Sequence, residues 1–249
     1  MKMTIVKLAV YLSVLLTPFS LKKQVMDREE SVKAIYYKKK SLIRLGDAEF
    51  RMMINKKGLS YQEYNSKLRD ELKQIIKRYK QKDPNYILCV PYEPFTKEAK
   101  WMFKKENYKY LMCFGIYRFY FRYFMPKHNK YGCSFLFIQE NEKNYHRLWQ
   151  ESKNVIFIHN DPKWAEVFKK KYDINTIFIE IPNKNCYSHI EKIQKKIEKK
   201  INEIKKEGSY SVIISAGPAA KVLVYRLAEK GILSYDVGHC WDDPLVMEK

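Results

Sequence analysis

Five isoleucines, Ile190, Ile193, Ile197, Ile201 and Ile204, recur every three or four residues through "SHIEKIQKKIEKKINEIKKE" (188–207). That spacing sets all five on one stripe of an α-helix, and it leaves lysines and glutamates, among them the i,i+4 pair Glu191 and Lys195, on the other side. Such a stripe must be buried against another element, and the following residues provide one. Gly208 stops the helix, and "YSVIISAG" (210–217) reads as a buried strand. "PAAKVLVYRLAEK" (218–230) is a second helix, entered through Pro218 and stopped at Gly231, and "ILSYDVGH" (232–239) is another strand. Helices and strands that alternate through such short connections belong to a parallel sheet covered by helices.

The alternation extends back along the chain. "DREESVKAIYYKKK" (27–40) predicts a helix leading into a strand over 41–45. "YNSKLRDELKQIIKRYKQ" (64–81) places Leu68, Leu72, Ile75, Ile76 and Tyr79 on one helical face. "NYILCVP" (85–91), "CSFLFI" (133–138), "NVIFIHN" (154–160) and "NTIFIEIP" (175–182) read as strands. "DPKWAEVFKKKY" (161–172) is a helix with Asp161 as N-cap and Pro162 at its first position. "TKEAKWMFKKENY" (96–108) reads as helical, and the aromatic run "CFGIYRFYFRYFMP" (113–126) fits helix or strand. The expected fold is α/β, a Rossmann-like three-layer sandwich with a largely parallel sheet. No repeat or Pro/Gly/Ser-rich linker divides it, so a single domain is expected over 27–249, after a peripheral N-terminal helix within 1–26.

Composition narrows the function. Hydrophobic residues make up 46% and aromatics 15%, which excludes a disordered chain. The 48 Lys+Arg against 28 Asp+Glu give a net charge of +20, which favours nucleic acid, nucleotides or an anionic membrane surface as partners. No recognition motif accompanies the charge, and much of it lies in lysine runs on solvated helix faces, so specific nucleic-acid binding is not expected. The five cysteines are scattered, without C-x-x-C spacing, and the histidines form no H-E-x-x-H pair. Neither a disulfide framework nor a zinc site is expected, and a cytoplasmic setting is. Residues 8–16 form an apolar stretch between Lys7 and Pro18, too short to span a bilayer. It reads as a helix docked on the domain or lying on the inner membrane face; a core element and a signal sequence are the other readings.

Ligands of open parallel sheets bind beyond the carboxyl ends of the strands. Three polar segments fall at such ends: "RLGDAE", "SAGPAAK" and "DVGHCWDD". In the second, Ser215, Ala216 and Gly217 lead to a helix N-terminus with Pro218 at its first position, where free N–H groups and the helix dipole suit a phosphate. Lys221 lies one turn further and adds a charge. An ordinary tight strand-to-helix turn is the competing reading. In the first segment, Asp47 and Glu49 stand one residue apart where an apolar run stops. Two such carboxylates suit a hard cation, Mg²⁺ or Mn²⁺, shared with substrate phosphates. On local pattern alone, a capping Asp with a first-turn Glu opening "EFRMMIN" is the simpler reading.

Taken in order, "LIRLGDAEF", "GLSYQEYNSKL" and "IISAGPAAKVLVYRLAEKGILSYDVGH" resemble the GT-D-fold glycosyltransferases, whose pattern is R-x-G-D-G-E, then F-Q-x-Y, then G-P-T-A-x-x-L…G…D-I-G-H. The resemblance covers roughly residues 30–240 and is most specific in its last block. It implies a bacterial enzyme that extends surface glycans from nucleotide sugars, with a UDP-sugar as donor and a glycan on a glycolipid or glycoprotein as acceptor. It also implies a metal and diphosphate element at Asp47 and Glu49, in a loop shaped by Arg44 and Gly46. Gln62 falls in the second block. Gly217, Pro218 and Lys221 would lie by the nucleotide, and Asp236 and His239 would face the same cleft. Ala48, Tyr61 and Ala219 replace the family's Gly, Phe and Thr, and "HNDPKWAEVF" stands where many members have a second Arg/Gly-rich segment. As the anomeric bond breaks, a cation would stabilise the leaving diphosphate. The general base is open among Asp236, Glu63, Asp161, Asp242 and His239. The rival readings are a Rossmann-like S-adenosylmethionine-dependent methyltransferase and a non-catalytic basic module that binds nucleic acid.

Overall fold

A computed structural model describes residues 24–79, 84–97, 104–127 and 129–240. The apolar stretch 8–16, Asp242 and residues 98–103 of the helix expected over 96–108 lie outside these residues. Among the described residues, no helix is long and apolar enough to cross a membrane.

Seven strands form one sheet in the order β3-β2-β1-β7-β6-β4-β5. They are β1 (Ser41–Arg44), β2 (Tyr86–Val90), β3 (Gly132–Cys133), β4 (Asn154–His159), β5 (Asn175–Glu180), β6 (Tyr210–Ile214) and β7 (Ser234–Asp236). Every pairing between them is parallel. Successive side chains alternate between the two faces, and both faces are apolar. Ile156, Ile158, Val212 and Ile214 feed one core layer, whereas Val155, Phe157 and Ile213 feed the other.

Helices cover both layers, which gives the three-layer sandwich expected from the sequence. α1 (Arg28–Tyr37) and α5 (Pro162–Tyr172) bury Val32, Ile35, Ala165 and Phe168 on one face. The other face is covered by α2 (Asp47–Asn55), α3 (Ser66–Arg78), α4 (Tyr108–Phe124), α6 (Ile190–Ile204) and α7 (Pro218–Ala228). All five isoleucines of α6 are buried, and each contributes about 1.5–3 kcal/mol of gross apolar burial. Asp27 and Glu30 form a reciprocal capping box at the start of α1. Asp161 caps α5 by accepting from the Lys163 N–H at 2.9 Å. The ambiguous aromatic run is helical and turns Tyr117, Tyr120 and Phe121 inward.

One expected strand is largely absent. Of "CSFLFI", only Cys133 pairs in the sheet, with Val90 of β2. The Ser134 N–H still donates to the Val90 carbonyl at 2.9 Å, after which the chain leaves the sheet. Leu136 and Phe137 are then both buried in the same core layer, and Phe135 is exposed. Two consecutive inward residues break the period of two that a strand requires, so 134–138 is a loop.

Candidate active site

A parallel sheet carries all its strand carboxyl ends on one edge, and there a cavity of about 440 Å³ opens. It lies around the place where the chain reverses its direction of travel across the sheet. From β1 the chain moves outward to β2 and β3, while β4 to β7 fill the other half. Residues beyond β1 (Gly46, Asp47, Ala48, Glu49), β6 (Ser215, Ala216, Gly217) and β7 (Gly238, His239, Cys240) line it. So do residues following β3 (Ser134, Phe135, Phe137, Ile138), β4 (His159, Asn160) and β5 (Ile181, Pro182, Asn183).

A buried group of charges lies at the cavity floor. Lys221 Nζ is 3.1 Å from Asp236 Oδ2 and 3.3 Å from Glu49 Oε1, and all three side chains are buried. The same ammonium donates to the Gly217 carbonyl at 3.2 Å. The ammonium thus has one hydrogen-bond acceptor, the Gly217 carbonyl, and two carboxylates as ion-pair partners. Burial is the largest single influence and pulls the Lys221 pKa down, but Asp236 and Glu49 together outweigh it, and the net shift is upward. Asp236 Oδ2 also accepts from the Arg44 N–H at 3.0 Å, while Asp236 Oδ1 is buried without a partner. The Arg44 guanidinium donates to the Val237 carbonyl and lies 5.8 Å from the Phe137 ring centre. Two cations and two carboxylates therefore balance in the interior.

This arrangement revises two sequence expectations. Lys221 borders the cavity, but its ammonium is held by Asp236, Glu49 and the Gly217 carbonyl at the cavity floor. Asp236 is fully buried and does not line the cavity; it lies beneath, holding Lys221. The two residues of "GDAE" also separate. Gly46 is the N-cap of α2, so Asp47 and Glu49 occupy its first and third positions. Helical residues two apart point to opposite sides. Glu49 turns inward, and its Oε2 accepts from the Gly46 N–H at 2.7 Å. Asp47 turns outward into the cavity, with its side chain 42% exposed and 3.4 Å from the Arg51 guanidinium. Ala48 falls inside this first helical turn with no positive φ, so no glycine is needed there.

Two glycines are required by their surroundings. Gly217 has φ of 53°, and a Cβ on it would meet Tyr61 Cε2 at 2.7 Å. Gly238 has φ of 58°, and its Cβ would meet Arg44 Nη1 at 2.7 Å. Pro218 is the buried first residue of α7, and the Ser215 hydroxyl is buried without a partner at the β6 end. Gln62 has a scaffold role. It is buried, accepts from the Tyr187 N–H at 3.2 Å and donates to the Glu63 carbonyl at 3.1 Å. With the Asn185 N–H donating to the Tyr61 carbonyl at 2.9 Å, it fixes the loop that brings Tyr61 over Gly217. Burial foremost, with Glu49 next, raises the Tyr61 phenol pKa.

His239 lines the cavity, its ring edge-on to Tyr61 with centres 6.2 Å apart. Of the other candidate bases, Glu63 and Asp161 are not among the lining residues, and Asp242 lies outside the described residues. Sequence reasoning missed His159, whose Nδ1 accepts from the Asp161 N–H at 3.0 Å, an arrangement that puts the neutral ring's proton on Nε2. Its signal was available, since it is the last residue of β4, at the edge where ligands bind. Asn160, Asn183, Tyr117 and Phe135 were also missed.

The sequence model of the glycosyltransferase GT-D fold family matches residues 42–243, a span that includes every segment lining the cavity. The chain is 26% identical over 233 residues to Glycosyltransferase GlyD of Streptococcus pneumoniae serotype 4, covering 87% of this chain and 26% of that protein. It is 22% identical over 236 residues to the probable glycosyl transferase Gly of Streptococcus gordonii, covering 86% of this chain and 32% of that protein. It thus spans between about a quarter and a third of these relatives' length. Two solved structures share the fold. One is a domain of unknown function 1792 described as a distinct glycosyltransferase fold (TM-score 0.71, 23% identity, 89% of this chain and 82% of that one). The other is a glycosyltransferase of the same domain type from Streptococcus sanguinis (TM-score 0.68, 21% identity, 88% and 82%). The methyltransferase and non-catalytic readings give way to this agreement of family and fold, and the chain belongs to the GT-D-fold glycosyltransferases.

Proposed function

We propose that the chain transfers a hexose, glucose or a relative of it, from a nucleoside-diphosphate donor such as a UDP-sugar to a surface-glycan acceptor on a glycolipid or glycoprotein. The observation that carries this reading is the shared cavity. An accessible carboxylate, Asp47, and a glycine turn at a helix N-terminus, Gly217, open into the same space at the strand carboxyl ends.

The oxygen chemistry fits a hard divalent cation, Mn²⁺ or Mg²⁺, held by one protein carboxylate and completed by substrate phosphates and water. Asp47 would hold it. The Glu49 oxygens are engaged by Lys221 and Gly46, so Glu49 supports the site from beneath. When bound, the cation supplies Lewis-acid stabilisation to the departing diphosphate. The remaining work falls to the chain itself. The turn at Gly217 lets a diphosphate approach backbone N–H groups at the α7 N-terminus. His239 and His159 are the lining groups with the chemistry to take the acceptor proton.

Nucleotide sugars are cytoplasmic, and a net charge of +20 favours an anionic leaflet, so the reading places the enzyme in the cytoplasm and peripherally at the inner membrane face. The test is a nucleotide-sugar hydrolysis screen with and without Mn²⁺, since uncoupled hydrolysis needs no acceptor. Mn²⁺-stimulated hydrolysis of a UDP-hexose, lost in Asp47→Asn, is expected. No turnover of any nucleotide sugar, or metal-independent turnover unaffected by Asp47→Asn, would overturn the reading.

A further inference from the structure

We propose that the loop after β3 is an acceptor subsite, with the Phe135 ring as the platform for a pyranose. This rests on the nucleotide-sugar reading of the cavity and adds where the second substrate binds. Among the described residues, Tyr37, Tyr123, Phe124 and Phe135 are the large hydrophobics left exposed, and of these Phe135 alone lines the cavity. An exposed ring in a binding cavity is informative in a way that an isolated surface ring is not.

The loop holds Phe135 out against the tendency of its neighbours to bury. The Phe135 carbonyl accepts from Arg28 Nε at 3.2 Å, and Arg28 is itself paired with Glu93 at 3.1 Å. The Leu136 carbonyl accepts from Asn141 Nδ2 at 2.7 Å, and the Ile138 carbonyl accepts from the Asn141 N–H at 3.0 Å. Ser134, Leu136 and Phe137 are buried on either side. Phe135 is therefore carried on an anchored backbone, lines the cavity and is 43% exposed. A pyranose offers an apolar C–H face that packs on such a ring, with its hydroxyls at the rim left for polar neighbours.

Position assigns the platform to the acceptor. Strand β3 is at the sheet edge, four strand spacings from β6 and two from β1. At about 4.8 Å per spacing, the end of β3, from which this loop departs, lies roughly 19 Å along the sheet from the β6 end that carries Gly217 and roughly 10 Å from the β1 end that carries Asp47. A diphosphate seated at Gly217 and Asp47 fills the β6 side. The acceptor then reaches the anomeric carbon from the part of the cavity the diphosphate leaves open, which is bordered by Phe135.

The experiment uses the full chain, UDP, the UDP-hexose found by the screen, and a panel of p-nitrophenyl hexosides as acceptor probes, with binding followed by saturation-transfer NMR. Phe135→Ala is expected to weaken binding of the preferred hexoside about five- to tenfold, with Phe135→Trp holding it within about threefold. Donor hydrolysis and UDP affinity should stay within about twofold in both variants. Unchanged hexoside binding in Phe135→Ala would overturn the proposal, as would a parallel loss of UDP affinity, which would make the ring a nucleobase platform. Failure of every hexoside to bind the wild type would overturn it too. If hexosides bind through Phe135 but no nucleotide sugar is turned over, the donor reading fails and the platform stands.

Discussion

Replacing Lys221 by Met removes one positive charge at nearly constant shape and tests the buried charge group directly. At 3.1 and 3.3 Å, and with an effective dielectric of about 20, each carboxylate contact represents roughly 5 kcal/mol of gross attraction. Most of that is offset by the desolvation of all three groups. Removing the cation alone strands Glu49 and Asp236 without their partner, and breaking a buried pair in this way costs about 3–5 kcal/mol. For a chain of this size, that lowers Tm by roughly 6–20 °C.

The pH dependence has a definite sign. The folded pKa of Lys221 is raised, so its contribution is fully present below the unfolded lysine value of about 10.4 and is lost only as pH rises through the folded one. The wild type therefore gains a constant amount from this group across neutral pH. In Lys221→Met, two carboxylates are left in a dry site without their cation. The deficit should hold constant across neutral pH and shrink only at alkaline pH, where the wild-type lysine itself loses its proton. Urea unfolding followed by circular dichroism measures it. Adding Glu49→Gln and Asp236→Asn to Lys221→Met should restore more than half of the loss, since a neutral trio leaves no stranded charge. A loss under about 1 kcal/mol, or no recovery in the triple variant, would refute the assignment of Lys221 as the internal counter-ion.

Three further outcomes follow from the geometry. Asp47→Asn should lower metal-stimulated donor turnover about 10²–10³-fold with Tm held within about 2 °C, because this carboxylate is half exposed and its Arg51 partner lies on the surface; a steady-state assay beside a thermal melt reads both. Gly217→Ala should weaken UDP binding in calorimetry, since its Cβ would displace Tyr61 and its backbone would sit at a φ of 53°; unchanged affinity would remove this turn from the site. Phe135→Ala should separate acceptor binding from donor hydrolysis, as set out above.

Much of the fold was legible because its signals are periodic and local. The isoleucine stripe of α6, the cap at Asp161, and Pro218 at the start of α7 each specify an element by a rule that needs no tertiary partner. The loop at 134–138 was not legible for the opposite reason. "CSFLFI" is apolar throughout, so composition favours a strand, and only the packing of Leu136 and Phe137 into one layer shows the break. Its single outward ring is where the acceptor subsite is proposed, and sites of this kind are where local and global preferences tend to part.

For the site, sequence located the segments but not the directions of their side chains. The strand ends near Asp47, Gly217 and His239 were readable, and all three line one cavity. What a side chain does there depends on parity. Asp236 pairs in register with Ile214, so the two project to the same sheet face, which is the face covered by α7. There Asp236 meets Lys221, and the cavity lining resumes only beyond the strand, at Gly238. The same reasoning separates Asp47 from Glu49. Had the chain stayed extended through residues 47–49, the two carboxylates would share one face. Because α2 begins at Asp47, the spacing of two that would unite them on a strand divides them on the helix, one toward substrate and one toward Lys221. In this chain the D-x-E spacing therefore sets one carboxylate facing solvent above a neutralised one, and the chemistry of the pair follows from where the helix starts.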